Sequence, residues 1–257
     1  MAPTTPPRMD FRTAVFTACA LATCACGSLA VFGALIPGRA REYVAVLTSV
    51  ACYASMIAFA YRIAYTMKTR APRDVATMKT MMVEITQTNG FQMIVYCAIG
   101  VLGMKRRRGA NAPALAPLIL LSFYQLAATA HKFLERDGRG YWSKLGFSRV
   151  FATAQANMEL ALAMCATMEI SLLTPMLLDL LSKEHRSVSR VLAYVQFLRT
   201  RYHCQDNTIY RIKFTAHNTA YYHREVWSTM DEKLFQKLPA AARRRLQFIA
   251  TWFTTPR

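Results

Sequence analysis

Apolar residues run through four stretches of the chain without a single charge. Thr13 to Pro37, Tyr43 to Tyr61, Ile85 to Met104 and Gly109 to Ala130 contain no Asp, Glu, Lys or Arg. A helix needs about 20 mainly apolar residues to cross a bilayer core of about 30 Å. Short basic segments separate the runs: Arg39 and Arg41, then residues 62–84, then Lys105-Arg106-Arg107-Arg108. The pattern predicts an all-α, polytopic helical membrane protein. A fifth apolar stretch, Val150 to Leu178, differs because it contains Glu159 and Glu169. Beyond residue 183 the pattern turns amphipathic, which predicts surface or interfacial helices.

Local signals refine these elements. Residues 1–12 hold three prolines and show little periodicity, the pattern of a flexible arm. In the first run Ala18, Ala22, Cys26 and Ala30 recur every four positions, a stripe on which another helix can approach closely. Pro37-Gly38 turns the chain into the second run. Residues 74–84 are amphipathic: Asp74 suits an N-cap, and Val75, Met78, Met82 and Ile85 share a face. Thr86, Gln87, Thr88, Asn89 and Gln92 make the entry to the third run polar, so it should face other helices or the interface. Gln155, Glu159 and Glu169 predict one polar stripe on the fifth stretch, turned toward protein or headgroups.

Charge bias selects a topology. With four spans and a fifth helix that does not cross, one side of the membrane carries 26 Lys and Arg and the other 6. The positive-inside rule therefore favours four spans, an interfacial fifth helix and both termini on one side. The expected division is an arm over 1–12, a helical membrane domain over 13–182 and a basic amphipathic helical region over 183–257.

The tail carries its own pattern. Ile209, Ile212, Ala216, Ala220, His223 and Trp227 follow helical spacing. Further on, Leu246, Ile249, Trp252 and Phe253 flank Arg243, Arg244 and Arg245. A short basic helix with aromatics suits an anionic membrane surface, and equally suits docking onto the protein's own helices or a partner.

The formal net charge of +18 asks for an anionic partner. No motif of nucleic-acid recognition accompanies it, so the expected partners are the lipid bilayer, anionic lipids and membrane proteins rather than nucleic acid. Seven cysteines, six of them inside apolar runs, read as small hydrophobes rather than a disulfide framework. No Walker loop, GxSxG or HExxH occurs, and His203-Cys204 with His217 and His223 makes a poor metal set. The expectation is a non-enzymatic protein without cofactor or metal.

Several blocks carry a resemblance. They are the run from Ser122 to Leu134, then Ala154-Gln155-Ala156-Asn157 with Glu169 and Leu172-Leu173-Thr174-Pro175. After them comes the aromatic–arginine segment holding Tyr194, Phe197, Arg199, Arg201 and Tyr202. Together with Glu84 to Tyr96 and Arg243 to Leu246, they resemble the transmembrane protein 33 family, pore-membrane and reticulon-associated proteins of the endoplasmic reticulum and nuclear envelope. The likeness covers most of residues 13–253 in order. It departs at Gln196 and at Asp206-Asn207-Thr208, and the first span is weakly matched.

The resemblance implies an organising protein of the endoplasmic reticulum and nuclear envelope that works with reticulon-type partners. The residues alone also fit a structural accessory subunit of a multisubunit membrane complex, including one of the mitochondrial inner membrane. A small transporter would need an inverted repeat or a broken-helix pair, and neither is visible.

Overall fold

The computed structural model describes residues 11–36, 40–69, 74–101, 112–137, 146–181, 187–203, 219–233, 235–240, 243–244, 247 and 251–252. Among these every regular element is helical. Residues 1–10 of the expected arm lie outside them, while Phe11 and Arg12 already belong to the first helix.

Helices α1 (Phe11–Leu35) and α2 (Ala40–Thr69) form an antiparallel pair. Its register is fixed by Phe16 against Tyr61, Thr23 against Ser55 and Gly33 against Val44. Small residues set the spacing, though not on the stripe that a strict four-residue repeat suggests. Ala20, Thr23 and Ala30 are buried with Gly27 between them, whereas Ala18 is exposed. The seam steps by three and four because a helix turns every 3.6 residues. A Cβ on Gly27 would come within 2.7 Å of Ile119, and one on Gly33 within 3.0 Å of Val44. The hydroxyls of Thr23 and Ser55 lie 3.0 Å apart and satisfy each other inside this seam.

Helix α3 (Val75–Gln87) is capped by Asp74, whose carboxylate accepts the Thr77 N–H at 2.7 Å. Thr88 closes it with extended backbone and caps α4 (Asn89–Val95) in turn. A π-turn, Tyr96–Val101, continues α4. Tyr96 is fully buried and donates to the Ala114 carbonyl at 2.7 Å. Ala114 sits in the 3₁₀ turn Ala112–Leu115, whose i→i+3 pattern would look to residue 117 for a donor. Pro117 has no N–H, so the phenol takes that place. Helix α5 (Ala116–Asp137) follows and packs on α1 through Ile119.

The fifth apolar stretch becomes α6 (Phe147–Ala156), α7 (Met158–Ser171) and α8 (Leu173–Asp179). The break at Leu172 stands three residues before Pro175, which cannot donate to the Ser171 carbonyl. Helix α9 (Val188–His203) returns antiparallel along α8 and α7, with Arg190 3.5 Å from Asp179 and Tyr194 bonded to Glu169. Helix α10 (Thr219–Lys233) lies against α7, and a 3₁₀ turn, Phe235–Lys237, follows it. Helix α9 thus packs onto α7 and the Tyr96 region, and α10 onto α7 and α9.

Among the described residues three segments are long and apolar enough to cross a membrane: Thr13–Leu35, Tyr43–Tyr65 and Met158–Asp179. The third uncharged run gives a shorter apolar helix, Gly90–Ile99. The fourth is split between the 3₁₀ turn and α5, whose last turns carry Lys132, Glu135, Arg136 and Asp137.

Candidate functional site

The sequence puts one carboxylate, Glu169, near the middle of the apolar segment Met158–Asp179. An ion there needs a partner, because an unpaired charge in apolar surroundings is strongly disfavoured. The fold supplies two. Arg201 on α9 approaches with its guanidinium fork, Nε to Oε2 at 2.9 Å and Nη2 to Oε1 at 3.0 Å. His223 on α10 places Nε2 2.9 Å from Oε2. The three residues are 0%, 3% and 1% exposed.

Helical spacing explains how they meet. On α9 the residues Val191, Tyr194, Phe197, Leu198 and Arg201 are all buried and fall on one face. On α10 Ala220 and His223 are buried and Trp227 packs on the core. Around the ion pair, Gln92 of α4 accepts from Arg201 Nη1 at 3.3 Å. The Tyr194 hydroxyl donates to the Glu169 carbonyl at 2.6 Å. Tyr96, Tyr194 and Phe197 form a wall of tilted rings beside it, with centroids 5.3–6.4 Å apart.

The charge balance of the cluster is one carboxylate and one guanidinium in a bidentate pair. His223 is the neutral member. Burial pulls its imidazole below the ordinary 6.5 against the opposing pull of the carboxylate. Its Nδ1 is buried without a partner among the described residues. A neutral ring that donates from Nε2 leaves only a bare acceptor there, whereas a protonated ring would leave a buried donor with nothing to accept it. The arrangement is a clasp: it ties α4, α9 and α10 to the centre of α7.

The other expected site residues fall in different places. Gln155 and Glu159 are exposed, so they do not join Glu169 in one stripe. Ten residues turn a helix by about 1000°, which leaves Glu159 and Glu169 roughly 80° apart. That offset suffices to send one inward and one outward. Arg199 is buried and its guanidinium lies 4.3 Å from the centroid of the Trp252 ring. Tyr202 is half-buried against the core. Arg243 and Arg244 are exposed, and Arg243 donates to the carbonyls of Gln236 and Leu238. Arg245, Leu246, Ile249 and Phe253 lie outside the described residues. Gln92 had been expected to need a partner inside the helices, and Arg201 is among those it has. The role of His223 had no sequence signal beyond its place on an apolar face.

The family model described as transmembrane protein 33/nucleoporin POM33 matches residues 48–226. The match spans the whole clasp, from Gln92 to His223, and leaves out α1 and the arginine run of the tail. No curated protein and no solved structure matches the chain.

Proposed function

The chain belongs to the transmembrane protein 33/POM33 family, and from that premise we propose that it is a non-enzymatic organising protein of the endoplasmic reticulum and nuclear envelope. The observation that carries this reading is the match over residues 48–226 to a family whose description names a nucleoporin, on a chain whose helices are apolar enough to cross a membrane. In this reading the protein holds membrane-protein partners, including reticulon-type proteins, at a bilayer face. It does so by packing and charge and by no covalent chemistry.

We further propose four crossings, with Val150 to Leu178 half-inserted. Charge supports this count. If only Thr13–Leu35, Tyr43–Tyr65 and Met158–Asp179 crossed, each side would carry 16 Lys and Arg and no bias would remain. A half-inserted fifth stretch also lets α9 and α10 reach Glu169 without carrying their own charges through the bilayer. Residues 13–182 then act as the membrane domain, and residues 183–257 as a basic region locked to it by Glu169, Arg201 and His223. The exposed Arg243 and Arg244 suit an anionic lipid surface or an acidic partner.

Microscopy of the tagged full chain tests the reading. A reticular pattern with a nuclear rim is expected. Confinement to mitochondria would replace it with the accessory-subunit reading.

A further inference from the structure

Helix α3 does not behave as a core helix. Of its residues from Val75 to Thr86 only Met81 and Ile85 are buried, while Val75, Met78, Met82 and Val83 are exposed, Val75 to 76%. At 100° per residue, Met81, Ile85, Met78, Met82 and Val75 follow one another around an arc of about 120°. One edge of that arc sits on the protein. The other edge is open and continuous with it. Lys79 borders the open edge, and Glu84 lies opposite Val75 on the wheel. The helix is also closed at both ends by its own caps, Asp74 and Thr88, so it persists without further packing.

Its place in the chain says what covers it. Helix α2 carries the apolar segment Tyr43–Tyr65 and ends at Thr69, five residues before Asp74. Five extended residues reach at most about 18 Å. On the other side Thr88 joins α3 directly to α4, whose Gln92 and Met93 are buried in the bundle. The helix is therefore held beside the end of a membrane-crossing segment. Charge matches that place. From Lys68 to Lys79 the sequence holds Lys68, Arg70, Arg73 and Lys79 against one acid, Asp74, whose carboxylate caps the helix.

We propose that α3 is an in-plane membrane helix, with Val75, Met78 and Met82 seated in the acyl–headgroup boundary of the leaflet where α2 ends, and with Lys79 and the basic residues before it on anionic headgroups. The occupant of the open face is the protein's own bilayer. This rests on the chain being an integral membrane protein and not on the organelle or on the role of the tail.

The test uses the full chain in nanodiscs of phosphatidylcholine alone or with phosphatidylserine added, read by hydrogen–deuterium exchange. Amides of α3 should exchange several-fold more slowly in the anionic discs. Met78→Glu with Met82→Glu should abolish that protection while α7 and α9 keep theirs. If the double variant also loosens α7 and α9, the milder Met82→Ser, together with the lipid comparison on the unaltered chain, decides. Equal α3 exchange in both lipids with the clasp intact overturns the proposal. Protection that arises only when a second membrane protein is added overturns it too, and makes the face a protein-docking surface. A mitochondrial location would end the proposed function and leave this outcome untouched.

Discussion

Arg199 stacks on Trp252, its guanidinium carbon 4.3 Å from the ring centroid, so the chain at Trp252 lies back on α9. Trp252, which suited lipid and the protein's own helices equally, is thereby held by the protein itself, while Arg243 and Arg244 are exposed. A cation–π contact of this kind contributes from about 0.5–1 kcal/mol when exposed to about 2 when desolvated. Trp252→Ala should therefore speed limited proteolysis after Leu238 several-fold, and Trp252→Phe should do so less. An unchanged cleavage rate in both variants would mean that the stacking does not hold the tail.

The arginine run should give the tail affinity for anionic surfaces. Near an anionic bilayer each basic residue contributes about 1 kcal/mol, so Arg243→Ala, Arg244→Ala and Arg245→Ala together remove about 3 kcal/mol. That is roughly a hundredfold in affinity, and it should shrink at high salt. Flotation of a peptide covering residues 240–257 with liposomes measures it. Binding that ignores lipid charge, salt and the triple substitution would assign the run to protein contacts.

Breaking the clasp from one side should be costly. Glu169→Leu leaves Arg201 buried without its carboxylate, a loss of about 3–5 kcal/mol. Glu169→Gln retains an acceptor and should lose less. Glu169→Leu combined with Arg201→Met should recover much of the difference, because both charges leave together. Denaturant unfolding in detergent reads these three variants, the Arg201→Met single variant and the unaltered chain. Additive losses in the double variant would mean that the two residues act separately.

His223 gives the clasp a pH dependence with a defined sign. Its imidazole is held below 6.5 in the folded chain by burial, so the unfolded chain binds the proton first. The contribution of His223 is then complete above about 6.5 and is lost as pH falls from there toward its lowered value. Glu169 faces the ring at 2.9 Å and is itself paired with Arg201. Melting temperature followed from about pH 8 to about pH 5 should drop more steeply for the unaltered chain than for His223→Gln. Parallel profiles would mean that the ring takes up its proton at the same pH in the folded and unfolded chains.

Topology gives a further check. With four crossings Arg8 and Arg257 stand on the same side, the topology that the split of 26 basic residues to 6 favours. Glycosylation tags at the two ends should be modified alike. Opposite results would favour the three segments Thr13–Leu35, Tyr43–Tyr65 and Met158–Asp179 as the crossings.

The helical character of the chain was legible because uncharged runs leave few alternatives. The bounds of α1 follow its run closely, α2 continues through Arg62 to Thr69 beyond the run that ends at Tyr61, and Asp74 caps α3 as its position suggested. The third and fourth runs were harder. Composition marks them apolar, but Pro113 and Pro117 and the polar entry at Thr88 break them into shorter pieces. The clasp was half legible. A carboxylate in an apolar run demands a cation, and Arg201 already stood in the aromatic–arginine block. Nothing local joins residues 32 and 54 positions apart, so the pairing with Arg201 and His223 needed the fold. The stripe of Gln155, Glu159 and Glu169 failed because a ten-residue step is not a whole number of turns.

The clasp also imposes an order on biosynthesis. Glu169 leaves the ribosome 32 residues ahead of Arg201 and 54 ahead of His223. At about 5–20 residues per second, several seconds separate the apolar stretch from its last partner. During that interval the stretch is an apolar helix with an unpaired carboxylate, neither content in lipid nor yet lockable in protein. Its final depth in the membrane is therefore decided after insertion has begun, by a downstream helix that arrives late, and a chain stalled before residue 223 would be a client for quality control rather than a shortened working protein.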